Sequence, residues 1–551
     1  MGENLVYATR GAFGFSLKRG VVAPETLVEK DLNPKDAICR TFKFSNNGDY
    51  FCYVDSERTV LVEVSTGKEL IAENLGKTSH ILFSPRDKFM VTFEPYVIYG
   101  ISSKNEDGTQ KKPNPNLRFW SIPERKHLHT SISSKQSDWM PKWSEDEEIM
   151  IRLVGSEIMR HDKHDFTKYS KKTAITNIRN FEVSPGQETI LACFVPPVKG
   201  QPANVQLRRC DDYFSLIRQK IFMRCDKVDM YWNSKGNALA VISSLEVDET
   251  NRSYYGESQV HIMTVNCEGF MVHRDKEGPV HTFTWNPNGT IFALCYGFMP
   301  AKVTLYNLRG DTVWALGEGS RNEIYFNRFG NVFLTCGFGN LSAGRMQFWD
   351  VEEKKEIIGI EVPNTTYFSW APDGQHFVTA TTAPRLRIDN GYRIWHYTGK
   401  MLFEYSAEKY ELWEFAWRPL PAGAYNKFMI PKLTKEQKSQ AGLLVKIKNN
   451  NNHPIQALPA GAITKASAYV PPHLRKGDSN KGALAPVGAT PQARLVLSET
   501  EKKIKTIHKK LDDIKKLKEK QANGEKLEVN QLSKIDKESE LISELANLEF
   551  K

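Results

Sequence analysis

Residues 283–295 read FTWNPNGTIFALC. Phe283 and Trp285 alternate with threonine, the period-two pattern of a strand with one buried face. Asn286-Pro287-Asn288-Gly289 follows, a run tolerant of turn geometry and positive φ, and a second apolar run begins at Ile291. The phrase describes a hairpin, two short strands joined by a tight turn.

Nearly the same phrase recurs along the chain. FKFSNNGDYFCYV starts at 42, ILFSPRDKFMVTF at 81, PKWSEDEEIMIRL at 141, FEVSPGQETILAC at 181 and MYWNSKGNALAVI at 230. IYFNRFGNVFLTC follows at 324, FSWAPDGQHFVTA at 368 and the shorter FAWRPLPAG at 415. An aromatic closes the first strand in most copies: Phe44, Phe83, Trp143, Trp232, Trp285, Phe326, Trp370 and Trp417. A further strand and turn complete the unit, as in LVEVSTGKEL, LRFWSIPERK, VTLYNLRGDT and MQFWDVEEKK, the last carrying Trp349-Asp350. Repeats of three or four strands at this spacing predict an all-β, WD40-like propeller over residues 1–420. A two-sheet sandwich would not repeat one phrase so often. Nine copies give nine blades, and eight is the alternative count because the copies at 181 and 415 are degenerate. The N-terminal LVYATRGAFGFSL is expected to supply a strand to the last blade, and ISSKNEDGTQKKPNPN at 101–116 to project as a loop.

At 551 residues the chain exceeds one ordinary compact core, so further regions are expected after the propeller. Charge divides it. Residues 1–420 hold 51 Lys+Arg against 51 Asp+Glu, whereas residues 421–551 hold 24 against 14, which is the whole net charge of +10. A basic arm of this kind is the usual electrostatic footprint of a phosphate-backbone partner, although lysines on a solvated helix give the same composition. MGENLVYATRGAF lacks the basic flank and apolar run of a signal peptide, and Val6 breaks the myristoylation pattern. No apolar run reaches membrane-spanning length. The eight cysteines are scattered with no C-x-x-C, the usage of reduced thiols in a cytoplasmic protein.

Catalytic patterns are missing from the sequence. It has no G-x-x-x-x-G-K-[ST] phosphate loop, no G-x-S-x-G elbow and no H-E-x-x-H. The run His161, Asp162, His164, Asp165 has metal-ligand chemistry, but its place between strands favours a solvated turn. Asn288-Gly289-Thr290 reads as a hairpin turn rather than a glycan acceptor. Repeated aromatics fill blade cores rather than stack on bases. Neither enzyme, cofactor nor metal is expected.

Residues 421–497 have linker composition, rich in Asn, Gly, Pro, Ala and Lys. Within them ASAYVPPHLRKG spans 466–477, where Pro471-Pro472 enforces extended backbone and projects Tyr469, His473 and Arg475. It reads as a docking peptide that orders on a partner. From residue 498 to 551 a helical pattern takes over. Ser498 and Glu501 form a capping box, Ile504, Ile507, Leu511 and Ile514 make an apolar stripe, and Asn523-Gly524 breaks the run into a hairpin. Lys502, Lys503, Lys505, Lys509, Lys510, Lys515, Lys516, Lys518 and Lys520 cover much of the rest. A self-associating coiled coil would want more heptads and less charge, so the chain is read as monomeric.

Divergent propeller repeats, AYVPPHLRKG in a basic linker and the lysine-rich hairpin ending in SELANLEF together carry a resemblance. The arrangement resembles the eukaryotic translation initiation factor 2A family over essentially the full length. Phrases such as FTWNPNG and FSWAPDG are shared more widely, including with the propeller of subunit b of initiation factor 3. The resemblance implies a cytoplasmic protein on the small ribosomal subunit, delivery of initiator methionyl-tRNA without GTP, and tail contacts to mRNA and a 5B-type GTPase. By position it transfers Tyr469, Val470, Pro471, Pro472, His473, Leu474, Arg475 and Lys476, together with the lysine face after Ser498. The rival reading is a protein-only scaffold in which propeller and helices assemble polypeptides.

Overall fold

The computed structural model describes residues 2–442 except 32–38, 98–108, 110–112, 135–138, 199, 246–256, 267–268, 340 and 408–409, together with Ile514. The docking peptide Tyr469–Lys476, the lysines from Lys502 to Lys520, the capping box and most of the 101–116 insert lie outside the described residues.

Each sequence phrase folds as the hairpin it spells. Val280–Trp285 pairs antiparallel with Ile291–Tyr296, setting Phe283 opposite Leu294 and Trp285 opposite Phe292. Gly289 takes φ +70° at the turn, where its N–H donates to the Asn286 carbonyl at 2.8 Å. Ala301–Asn307 and Thr312–Gly319 add a third and a fourth strand outward. Among the described residues this plan yields thirty-six strands in nine four-stranded antiparallel sheets. The first strands of neighbouring blades lie against one another, which makes them the inner ring of a nine-bladed propeller.

Nine blades, not eight, follow because both degenerate copies form first strands. Asn180–Val183 opens a complete fourth blade, and Leu412–Trp417 is the innermost strand of the ninth. The N-terminal contribution is larger than the one strand expected. Val6–Gly11, Gly14–Arg19 and Glu25–Asp31 all join Leu412–Trp417, because Ala12-Phe13 turns the quoted stretch back on itself before Gly14 at φ +101°. The ring therefore closes by zipping the chain's beginning to residue 417: Tyr7 pairs with Trp417 in register and stacks on Phe415 at 4.9 Å. Closure leaves each blade only short edges, its first strand ending the sheet on the inner side.

Apolar side chains fill the spaces between blades. Val332, Phe348 and Ile358 of blade 7 pack with Phe368, Phe377 and Trp395 of blade 8. A repeated hydrogen bond ties third strand to second: Trp120, Trp349 and Trp395 donate Nε1–H to Thr92, Thr335 and Thr379 at 3.0, 3.0 and 2.9 Å. Such a bond lets a large ring be buried without stranding its polar atom. Asp350, next to Trp349, accepts from the backbone N–H groups of Glu352 and Glu353 and so shapes the following turn.

The described start of the segment read as linker, residues 421–442, packs on the propeller. Phe428, Ile430, Leu433 and Ala441 pack against the blade 7–8 core, and Lys435–Gln440 forms a short helix capped by Thr434. Four apolar residues spread among Pro, Lys and Gln are too sparse to show as a periodic element in sequence.

Candidate interaction surfaces

Among the described residues no group of three or more His, Cys, Asp or Glu is arranged to hold a metal. All seven described cysteines are buried, and burial pushes Cys39 up to about 12 and Cys225 up to about 11, so none presents a thiolate. The 161–165 run is consumed by its own turn. Asp162 pairs with Arg160 at 2.7 Å, Asp165 accepts from the N–H groups of Thr167 and Lys168, and His164 leans on Phe89. His161 is buried rather than solvated, its Nδ1–H donating to the Asp165 carbonyl at 3.1 Å. Asn288 accepts from the N–H and hydroxyl of Thr290, as a hairpin turn requires.

Rigidity comes from the hairpin turns themselves. Asn233, Asn286 and Asn327 follow the aromatic in three successive phrases. Each Nδ2–H donates across the blade boundary to the glycine carbonyl of the next turn: Gly289 at 2.9 Å, Gly330 at 2.9 Å and Gly374 at 3.0 Å. At the closure Arg418 holds the equivalent place and donates Nε–H to Gly48 at 2.7 Å. Gly48, at φ +78°, has no room for a side chain, because a Cβ would run into the Pro419 carbonyl. Sequence reading saw a turn signal in these asparagines; their second use, as links between blades, needs neighbouring turns to be adjacent.

Across this turn face runs the strap of residues 418–442. Arg328 of blade 7 donates to the carbonyls of Pro372 and Pro421, and Asn331 donates to the Phe428 carbonyl at 3.0 Å. Lys427 pairs with Glu352, Phe428 packs on Phe329 and Tyr397, and the Gly442 N–H meets the Gly399 carbonyl at 3.1 Å. Two clefts flank the strap. One, of about 460 Å³, is lined by Asp350, Glu353, Lys355, Ile430, Lys432 and Leu433; the other, of about 360 Å³, by Thr398, Met401, Gln437, Gln440 and Ala441. Both mix charges and apolar walls without a convergent polar set. The sequence-proposed contacts, Tyr469–Lys476 and the nine lysines, lie beyond these residues.

A nine-bladed disc whose polar groups tie blade to blade, crossed by a strap from the segment that leads to a cationic extension, defines a β-propeller of the WD-repeat class. Its relatives agree on which one. The family model for "Eukaryotic translation initiation factor eIF2A" matches residues 220–415, and that for "Eukaryotic translation initiation factor 2A C-terminal domain" matches residues 502–548. The eukaryotic translation initiation factor 2A of Caenorhabditis elegans is 45% identical over 575 residues, with 100% of both chains covered. That of Drosophila melanogaster is 32% identical, with 92% of each chain covered. A solved structure titled "Crystal structure of the eukaryotic initiation factor" superposes with TM-score 0.67 at 28% identity, covering 76% of this chain and 100% of that one. The chain belongs to the eukaryotic translation initiation factor 2A family. No helix among the described residues is long and apolar enough to cross a membrane.

Proposed function

We propose that this protein acts in the cytoplasm as a translation initiation factor that binds the small ribosomal subunit and promotes delivery of initiator methionyl-tRNA without GTP. It works by tethering rather than catalysis. The propeller meets a ribosomal or tRNA surface by shape. The extension, with Tyr469–Lys476 and the lysines between 502 and 520, engages mRNA, ribosomal RNA or a 5B-type GTPase. Two attachments on one chain raise local concentration and bind more tightly than either alone.

One observation carries this reading: in a chain of this family, all the excess positive charge sits in residues 421–551 while residues 1–420 balance to zero. The missing phosphate loop agrees with the GTP-free step. The test is cosedimentation with small ribosomal subunits over a salt series, comparing the full chain with one ending at Gly442. That end point keeps the strap, whose side chains pack on blades 7 and 8. The full chain should pellet with subunits and be released steeply by salt, and the shortened chain should be lost at much lower salt. Equal pelleting of both, insensitive to salt and RNase, would establish the protein-only scaffold instead.

A further inference from the structure

Half-buried arginines in this propeller generally carry a carboxylate. Arg10 has Glu414 at 2.9 Å, Arg118 has Glu94 at 2.8 Å, Arg160 has Asp162 at 2.7 Å and Arg393 has Glu404 at 3.0 Å. Arg274 instead donates to two backbone carbonyls, and Arg321 donates one N–H to Gln347 while its Nε and Nη1 find no partner. Arg152 differs. It lies on the second strand of blade 3, Ile149–Val154, and reaches across to blade 2, where its guanidinium sits 5.8 Å over the Phe119 ring. Among the described residues it forms no ion pair and no side-chain hydrogen bond. A ring face offsets part of the cost of burying a cation, but the N–H fork stays unused.

The surroundings of Arg152 are donors and further potential cations. His129, opposite Phe119 on the outer strand of blade 2, packs on the same ring at 6.0 Å. Two residues on, and so on the same face, Ser131 has a buried hydroxyl without a partner. From blade 3, His161 is 5% exposed and its Nε2 has no partner, while Nδ1 is engaged by the Asp165 carbonyl. Burial and the Arg152 charge hold His129 and His161 below the usual histidine range. The charged groups bearing on them are Arg152, His127, Asp165 and each other; Asp165 is exposed and already accepts from Thr167.

We infer that the groove between blades 2 and 3 is a phosphate-binding site built on Arg152, His129, Ser131 and His161, and that its phosphate is carried by RNA. A guanidinium fork matches two phosphate oxygens, a hydroxyl adds a third donor, and the anion supplies a counter-ion that no described residue pairs with Arg152. The choice of RNA as carrier rests on the function proposed above; the phosphate chemistry does not. Phosphate in the groove favours the charged histidines, so binding takes up protons and tightens as pH falls through and below the ordinary histidine value of 6.5.

The full chain is tested with two probes: thermal unfolding in inorganic phosphate against chloride of equal ionic strength, and anisotropy of a labelled single-stranded RNA over a salt series. Phosphate should raise the melting temperature of the parent chain and not of Arg152→Gln. The same substitution should lower the salt slope for RNA by ~0.7, the share of one phosphate contact on a single strand. His129→Gln, at a partly exposed position, should flatten the pH dependence and reads the site even if Arg152→Gln folds poorly. An equal phosphate response in parent and Arg152→Gln overturns the site. A phosphate response that depends on Arg152, beside an unchanged RNA slope, overturns RNA as the carrier. If the parent binds no RNA at all, the proposed function fails while the phosphate melt still decides the groove.

Discussion

Propeller and extension use the same ionic side chains for opposite purposes. In residues 1–420 every excess of one sign is cancelled, and many pairs join strands or blades: Arg10 with Glu414 at the closure, Lys142 with Glu182 between blades 3 and 4, Arg393 with Glu404 between strands of blade 8. Charge there is structural. In residues 421–551 cations outnumber acids 24 to 14, so a surplus remains that acids of the same segment cannot balance. The contrast teaches that composition averaged over the whole protein, a modest +10, hides two electrostatic regimes.

The largest effect should come from the surplus. Replacing the nine lysines between Lys502 and Lys520 by glutamine should weaken association with RNA or small ribosomal subunits by orders of magnitude at low salt, because the salt slope loses ~0.7 for each phosphate contact removed. The unfolding temperature of the propeller should stay put. An unchanged slope would remove the distinction between the two regions.

Next comes the core that the balanced region protects. Trp395 is fully buried and donates to Thr379 at 2.9 Å, so Trp395→Ala should cost about 3–5 kcal/mol in chemical denaturation. A smaller loss is expected at the blade links. Asn286→Ala strands the buried Gly330 carbonyl and should cost ~1–3 kcal/mol, with binding to RNA intact. A loss of RNA affinity in Asn286→Ala at full stability would show that this turn face belongs to the binding surface.

The last effect, small near neutral pH, is a pH dependence. Burial, helped by Lys220, holds His261 down to about 4 against an ordinary 6.5. The unfolded chain therefore binds a proton that the native state refuses. Stability from this group is complete above 6.5 and drains as pH falls towards 4. Melting temperatures followed across that interval should fall in the parent chain and fall less in His261→Gln.

Legibility followed repetition. The phrase with its aromatic, its turn and its second strand exposed the fold, because every blade must solve the same packing problem and leaves the same period-two trace. Signals that occur once were harder to read. Phe428 and Ala441 looked like linker because their partners, Tyr397 and Gly399, are contributed by blades that are distant in sequence. His161 looked like a solvated turn because nothing in the run 161–165 says that blade 2 lies on top of it. Arg152 drew no notice in IMIRL; it became unusual only when the structure gave its guanidinium an aromatic ring and no acceptor among the described residues.

By itself the amino-acid order determined the hairpins, their number to within one, and the separation of a neutral body from a cationic arm. These are local or summed properties, set by side-chain period and formal charge. Tertiary structure alone decided the count of nine, the three-strand closure by the N-terminus, the docking of the strap and the placing of the Arg152 guanidinium over Phe119 between blades 2 and 3. Each depends on which surfaces meet when the ring closes, and a chain read in one dimension holds no record of neighbours that only closure creates.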